Sequence, residues 1–277
     1  MDTQREVPFK RIVEVRASSW GRLFDCSYAW EGEHLLGLRR PSGLRASLGT
    51  AIHASTAAFD QARIDGRPIS ISDAADVFIQ TLHNPTDDVD YKQDRSITMR
   101  EAEQIGLTLH AKYCAEISPR YEFKAVEMKM DPLDLNVGDN MIIRLKGTMD
   151  RARVAKGGAG AIIPDIKTGA RLFADNEVVL KGRSAQLGAY QLMYESNTQE
   201  VTEGAQIIAL QTTAAAQAGV SRIFDARRVM LGTKYEPGLI DFAGTIFKTG
   251  HFQPNPQSSL CSEKFCARWN SCIYRDA

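Results

Sequence analysis

The stretch that decides the reading is residues 141–168, MIIRLKGTMDRARVAKGGAGAIIPDIKT. MIIRLKGTMDRARV (141–154) alternates apolar and polar residues and AIIPDIKT (161–168) is a short apolar run, so both read as strands. Between them KGGAG (156–160) is a tight glycine-rich turn, the strongest hairpin signal in the chain. With Gly157 and Gly158 as the loop residues, Val154 pairs with Ala161 and Asp150 lies opposite Asp165. Directly opposed side chains sit about 4.5–5.5 Å apart, and like charges there destabilise a sheet unless a cation bridges them. Moving the loop by one residue pairs Asp150 with Lys167 instead, an ordinary cross-strand salt bridge, and this stretch alone leaves both registers open. Period two places Ile163, Asp165 and Lys167 on one face, with Ile162, Pro164 and Ile166 on the other.

Outward from the hairpin, residues 18–36 read as a helix. Gly49-Thr50 opens a second that ends at Gly66, a third runs from Ser72 to Leu82, and a long one from Thr98 to Ile117 stops before Pro119. Residues 84–95 form an acidic, polar loop. FKAVEMKM (123–130) alternates as a strand, and 184–195 and 236–249 read as helices. Strands are expected at 205–213 and 221–230. Helices first, then a hairpin, a helix and more strands make an α+β (α/β) arrangement around one sheet.

Composition narrows the function classes without naming one. The chain has 277 residues, 43% of them hydrophobic and 25% charged, enough for a sizeable core in one large domain or two small ones. No window of 18 apolar residues suggests a spanning helix, and the opening MDTQREVPFKR has no apolar stretch of the kind a secretory signal needs. Thirty-four Lys and Arg against 34 Asp and Glu give a net charge of zero. That argues against a protein coating nucleic acid through bulk positive charge, yet leaves a nuclease open, because phosphodiester chemistry needs carboxylates. There is no Gly-Lys dipeptide and so no phosphate loop of a motor.

Five cysteines occur, three of them as C-x4-C-x5-C in the tail: Cys261, Cys266 and Cys272. An odd count favours metal binding or burial over a disulfide framework. Three thiols in a tail that otherwise frays suggest a metal tie, one ligand short of the four that zinc or an iron–sulfur cluster takes. Cys26, in the aromatic-rich SSWGRLFDCSYAW, is the chosen fourth. Cys114, alone on a long amphipathic helix, reads as a small core residue.

G-T-M-D-R-A (147–152) followed by P-D-I-K-T-G (164–169) resembles the signature of PD-(D/E)XK nucleases, close to their RecB-like branch. In that branch an upstream helix carries G-T-x-x-H, matched by Gly49 to His53, and a downstream helix carries Q-x3-Y, matched by Gln186 and Tyr190. Iron–sulfur members, among them CRISPR-associated exonucleases and nuclease domains of some helicase–nucleases, add one cysteine before the histidine and three at the C-terminus. Cys26, Cys261, Cys266 and Cys272 stand in those places. The resemblance runs from Cys26 to Cys272. It departs in one spacing, since many relatives have C-x2-C-x5-C.

The resemblance implies a restriction-endonuclease-like core, a mixed central sheet flanked by helices, in one nuclease domain over 1–277. Its parts are a mainly helical 1–120 with Cys26 and His53, a catalytic sheet core over 121–255, and a cysteine cluster over 256–277. Asp150 and Asp165 are then shared ligands of one or two Mg²⁺ or Mn²⁺ ions, with the Ile166 carbonyl completing the shell and Glu127 as a further ligand. His53 adds an imidazole nitrogen, which favours Mn²⁺. Lys167 orients or deprotonates the attacking water, and Gln186 and Tyr190, four apart on one helix face, position the substrate strand. Cys26, Cys261, Cys266 and Cys272 hold a [4Fe–4S] cluster, with zinc as the alternative. Trp20, Tyr28 and Trp30 are expected to shield that centre rather than stack on bases, while Lys181, Arg183, Arg227 and Arg228 are candidates for a DNA groove.

The expectation is thus a cytoplasmic, metal-dependent DNA exonuclease of recombination, repair or replication, of phage or mobile-element kind, with no membrane. A helicase or a recombination or single-strand-binding protein is its expected partner. Its rivals are a catalytically idle DNA-binding scaffold on the same fold, a structure-selective endonuclease and an RNase.

Overall fold

The computed structural model describes residues 11–92, 96–158 and 160–277. The first ten residues, which carry most of the opening read for a signal, the end of the acidic loop (93–95) and one position of the hairpin turn (159) lie outside the described residues.

The described chain opens with a strand, β1 (Arg11–Arg16), then a 3₁₀ turn and two short helices, α1 (Trp20–Asp25) and α2 (Ser27–His34). The single helix expected over 18–36 is therefore broken, at Cys26, whose backbone is extended (φ −149°, ψ 92°). The distant segment 253–255 crosses there and supplies polar partners. Asn255 Nδ2 donates to the Asp25 carbonyl at 2.9 Å, Gln253 N to Ser27 Oγ at 2.5 Å, and Tyr28 N to the Gln253 carbonyl at 3.1 Å. The break turns Cys26 toward the C-terminal tail.

Helix α3 (Leu44–Ile64) starts well before Gly49, which the sequence reading took as its opening. Gly49 instead lies mid-helix, where a Cβ would stand 2.6 Å from Thr168 Oγ1. Its lack of a side chain lets α3 lie close against the strand bearing Asp165 and Lys167. Helices α4 (Ile71–His83) and α5 (Met99–Lys112) each begin with a capping box, Ser70 with Asp73 and Thr98 with Glu101. Helix α5 runs into a π turn over Tyr113–Ile117 rather than continuing regularly.

Strands β2 (Phe123–Lys129), β3 (Leu133–Asn136), β4 (Met141–Lys146), β5 (Thr148–Val154) and β6 (Ala161–Gly169) follow. Then come a small hairpin, β7 (Phe173–Ala174) and β8 (Glu177–Val178), helix α6 (Ser184–Thr198), β9 (Thr202–Gln211) and β10 (Ala218–Val220). Helices α7 (Arg227–Leu231) and α8 (Leu239–Thr249) precede the tail. The architecture is mixed α/β, with mixed sheets flanked by helices. A single sheet was expected, but the described residues form a five-stranded sheet in the order β10-β9-β6-β5-β2, a three-stranded one in the order β1-β4-β3, and the β7–β8 hairpin.

The division falls at Gly147, inside the run read as one strand. A Cβ there would lie 2.9 Å from Tyr190 Cε1 and 3.3 Å from the Ala17 Cβ, so the chain passes between these groups and changes sheets. Strand β4 leaves to pair in parallel with β1, while β5 stays beside β2 and β6. The strand expected at 221–230 reduces to one bridge, Phe224 to Ala205, before α7. Gln191 Oε1, on α6, accepts the Ala226 amide at 2.9 Å and draws the chain off the sheet.

Two apolar layers enclose the five-stranded sheet. Ile166, Ile208 and Leu210 pack against α3, α4 and α5, whereas Ile163 and Met149 pack with α6, α8 and the smaller sheet. Adjacent side chains of β6 thus face opposite layers, as the strand period requires. Among the described residues no helix is long and apolar enough to cross a membrane.

Candidate active site

The hairpin register is the one in which Arg153 pairs with Ile162 and Val154 with Ala161. Pairing ends there, although β6 stays paired with β9 to Gly169. Pro164, just beyond, has no N–H to offer a neighbouring strand. The strands fork, and the next amide on that side, Ile166 N, donates at 2.8 Å to Asp150 Oδ2. Asp150 therefore reaches across the fork instead of facing Asp165 in a continuous ladder.

Around Asp150 a compact ligand set closes. One donor atom each from His53, Glu127 and Asp150 lies within 4.8 Å of the others, and among the described residues no other set of three potential metal ligands is so close. His53 Nδ1 is 3.5 Å from Asp150 Oδ2. Glu127 sits between Val126 and Met128, which pair with Arg151 and Met149, so β2 brings it alongside Asp150. Its φ of 45° is left-handed, a strained conformation for a side chain of this size. Glu127 Oε1 lies 3.4 Å from Arg151 Nη1.

Asp165 lies in a second, adjoining group. Lys167 Nζ is 2.7 Å from Asp165 Oδ2 and donates to Gln186 Oε1 at 2.8 Å. Gln186 Nε2 reaches Asp165 Oδ1 at 3.3 Å and Tyr190 OH at 3.2 Å. Asp165 is fully buried, and its Oδ2 meets the Lys167 ammonium. The His53 nitrogen with the Glu127 and Asp150 carboxylates, Asp165 adjoining them, is a donor set that fits a hard divalent cation.

The electrostatics follow from burial and neighbours. Burial opposes the charge on Asp150, but the His53 ring with Lys167 and Arg151 outweighs it and holds this carboxyl below the usual range. Burial also works against a charged His53, and the Asp150 and Asp165 carboxylates overcome it, raising the imidazole. Asp165 and Glu127 are both pushed up, first by burial and then by the Asp150 charge, with Lys167 opposing at Asp165. Carboxyls pressed together and raised in this way are stabilised as anions by a cation among them.

Beneath the site lies a network that the sequence reading missed. Arg151 Nε meets Asp60 Oδ2 at 2.7 Å, Arg151 Nη1 donates to the Asp150 carbonyl at 2.7 Å, and Arg151 Nη2 reaches Thr56 Oγ1 at 3.3 Å. Asp60 also accepts from Tyr113 OH and Ser118 Oγ, each at 2.5 Å. The available signal was polar residues at helical spacing on a buried face, since His53, Thr56 and Asp60 stand at i, i+3 and i+7 of α3.

Cys26, Cys261, Cys266 and Cys272 line one small cavity with Tyr28, Pro254, Pro256 and Tyr274. Burial and the neighbouring thiols raise Cys261. Cys114 is elsewhere, buried on the π turn beside His110.

Other candidates separate. Trp20 and Trp30 are fully buried and present no ring to a base, Trp30 packing on Phe247 and Phe252. Tyr28 borders the cysteine cavity under the Arg268 guanidinium. Arg227 is paired with Glu195 and Asp225, while Lys181 is exposed.

No curated protein sequence matches the chain. A crystal structure of a candidate exonuclease from Eubacterium rectale resembles it with a TM-score of 0.54 at 13% identity, over 93% of this chain and 88% of that one, a likeness of fold. The sequence model of the PD-(D/E)XK nuclease superfamily matches residues 17–275, spanning the forked hairpin, His53, Gln186 and the cysteine tail. With nearly its whole length covered by that match, the chain belongs to the PD-(D/E)XK nuclease superfamily.

Proposed function

We propose that this protein is a metal-dependent DNA nuclease that works from strand ends. Family membership gives nuclease chemistry, with DNA as the substrate class and Mg²⁺ or Mn²⁺ as the usual ions. The observation that carries the reading is the fork, where the His53, Glu127 and Asp150 ligand atoms close to within 4.8 Å beside the buried Asp165–Lys167 pair.

Asp150, Asp165, Glu127, His53 and the Ile166 carbonyl are the groups that would hold the metal. When bound, it supplies charge neutralisation at the phosphate and a water acidic enough to attack. The chain's own residues do the rest. Lys167, fixed between Asp165 and Gln186, presents an ammonium to the oxygen on which negative charge grows as the water oxygen bonds to phosphorus and the bond to the leaving oxygen breaks. Gln186 holds Lys167 and Asp165 in register, and Tyr190 extends that chain of contacts toward the substrate.

Cys26, Cys261, Cys266 and Cys272 are proposed as ligands of a structural [4Fe–4S] cluster that fastens the tail to the α1–α2 break. Their shared cavity supports this. End dependence is supported by the likeness to the Eubacterium rectale protein and is tested with Mn²⁺ on linear and covalently closed DNA, single- and double-stranded. Loss of linear DNA alone is the expected result; cutting of closed circles would make the protein an endonuclease.

A further inference from the structure

Tyr190 has two sides. One touches Gln186 in the catalytic group, and the other walls a cleft of about 870 Å³ that also includes Arg16, Ser18, Lys129, Asp131, Lys146 and Thr148. Three cations against one carboxylate line it, in a chain whose overall charge is zero. Lys146 is paired with Glu14 at 2.5 Å. Arg16 and Lys129, both exposed, make no ion pair among the described residues.

Position ties the cleft to the chemistry. Thr148 and Asp150 are two apart on β5, so they point the same way roughly 6.7 Å from each other. Lys129 is the register partner of Thr148, and Glu127 lies two residues before it on β2. Each strand thus carries a metal-ligand candidate and, one step further out, a residue of the cleft. Gly147 adds no side chain at the point where the cleft meets the Tyr190 ring.

We propose that Arg16 and Lys129 form a phosphate-binding subsite that holds the backbone of a single nucleic-acid strand, at internal phosphates next to the one being cut. This rests on the nuclease reading above and adds a substrate class, a strand running past the Tyr190 ring. The ligand is the phosphodiester oxyanion, and the occupant is a continuing strand rather than a terminal phosphate.

The test is binding of labelled oligothymidylate to full-length Lys167→Ala protein without added divalent metal, across a salt series. Each phosphate contact on a single strand contributes about 0.7 to the slope of log affinity against log salt. Adding Arg16→Gln and Lys129→Gln should therefore flatten the slope by about 1.4, equally on circular and on 5′-phosphorylated linear strands. Arg16→Lys with Lys129→Arg should keep the parental slope. An unchanged slope in the glutamine variant, with melting showing it folded, overturns the subsite, as does an equal loss in the charge-conserving variant. Loss confined to 5′-phosphorylated ends overturns the assignment to internal phosphates. With Lys167 retained and Mn²⁺ added, Arg16→Gln/Lys129→Gln should leave turnover of a small chromogenic phosphodiester unchanged while raising KM for long strands. Absence of any hydrolysis by the wild type would count against the nuclease reading and leave the binding result to judge the subsite.

Discussion

Arg151 and Asp60 form an ion pair at 2.7 Å with both side chains wholly inaccessible to solvent. Burial of two charges is costly unless every remaining donor and acceptor is met. Here Tyr113 and Ser118 complete Asp60, while Thr56 and the Asp150 carbonyl take further Arg151 donors. The pair joins α3, which carries His53, to β5, which carries Asp150. Asp60→Ala strands the guanidinium and should cost about 3–5 kcal/mol, read by urea unfolding. Asp60→Leu with Arg151→Met should recover much of that loss yet shift metal affinity, because Glu127, 3.4 Å from Arg151 Nη1, and the Asp150 carbonyl lose their common partner.

Gln186 ties Lys167 to Asp165 and Tyr190. Gln186→Ala should leave the fold intact and lower kcat by on the order of 10²-fold, the usual penalty for a small misplacement of reacting groups. Glu in place of Gln keeps the acceptor for Lys167 but loses the donors to Asp165 and Tyr190. Single-turnover rates for both variants would show whether positioning depends on those donors; a wild-type rate in Gln186→Ala would remove Gln186 from the site.

His53 supplies a nitrogen to an otherwise oxygen-rich set. Mn²⁺ should bind the protein more tightly than Mg²⁺, and His53→Ala should reduce that preference, as nitrogen ligands favour the later metal. Calorimetric titration of both ions into both proteins checks this. Equal selectivity in the two proteins would take His53 out of the shell.

Cys266→Ser should lose visible iron–sulfur absorption in anaerobically prepared protein and lower the melting temperature, since Cys26 and the tail would be left unfastened. Cys114→Ser should keep the absorption. A stable, iron-free wild type would contradict the cluster.

His110 is buried, with Nδ1 at Ser55 Oγ and Nε2 at the Ile71 carbonyl. Burial lowers its pKa below the ordinary 6.5. The unfolded chain then binds more protons, so stability rises with pH up to about 6.5 and is lost as pH falls from there toward the folded-state value. His110→Gln should flatten that part of the stability profile in urea titrations between pH 5 and 7.

Local patterns made the hairpin, the helix bearing His53 and the helix bearing Gln186 and Tyr190 readable from the sequence, because each is encoded by residues close together in the chain. Glu127 was readable only through resemblance; its left-handed backbone has no local signature in VEM. The division at Gly147 was hidden because β4 and β5 share one alternating run, and only the approach of Tyr190 separates them. Asp60 and Arg151 are 91 positions apart, and a charged residue in a helix or strand reads first as solvated. Strand β1 escaped notice since RIVEVR is short and buries only Val15 fully. The break at Cys26 depends on hydrogen bonds from 253–255, which no local window contains.

The most direct measurement compares single-turnover cleavage of end-labelled linear DNA, with Mn²⁺, by wild-type protein and by Lys167→Ala, alongside DNA affinity for each. Cleavage by the wild type, lost in Lys167→Ala while binding is retained, is the expected result and ties the chemistry to the Asp165–Lys167 pair at the fork. Equal cleavage by both proteins, or none by either in the presence of metal, would contradict a nuclease site there.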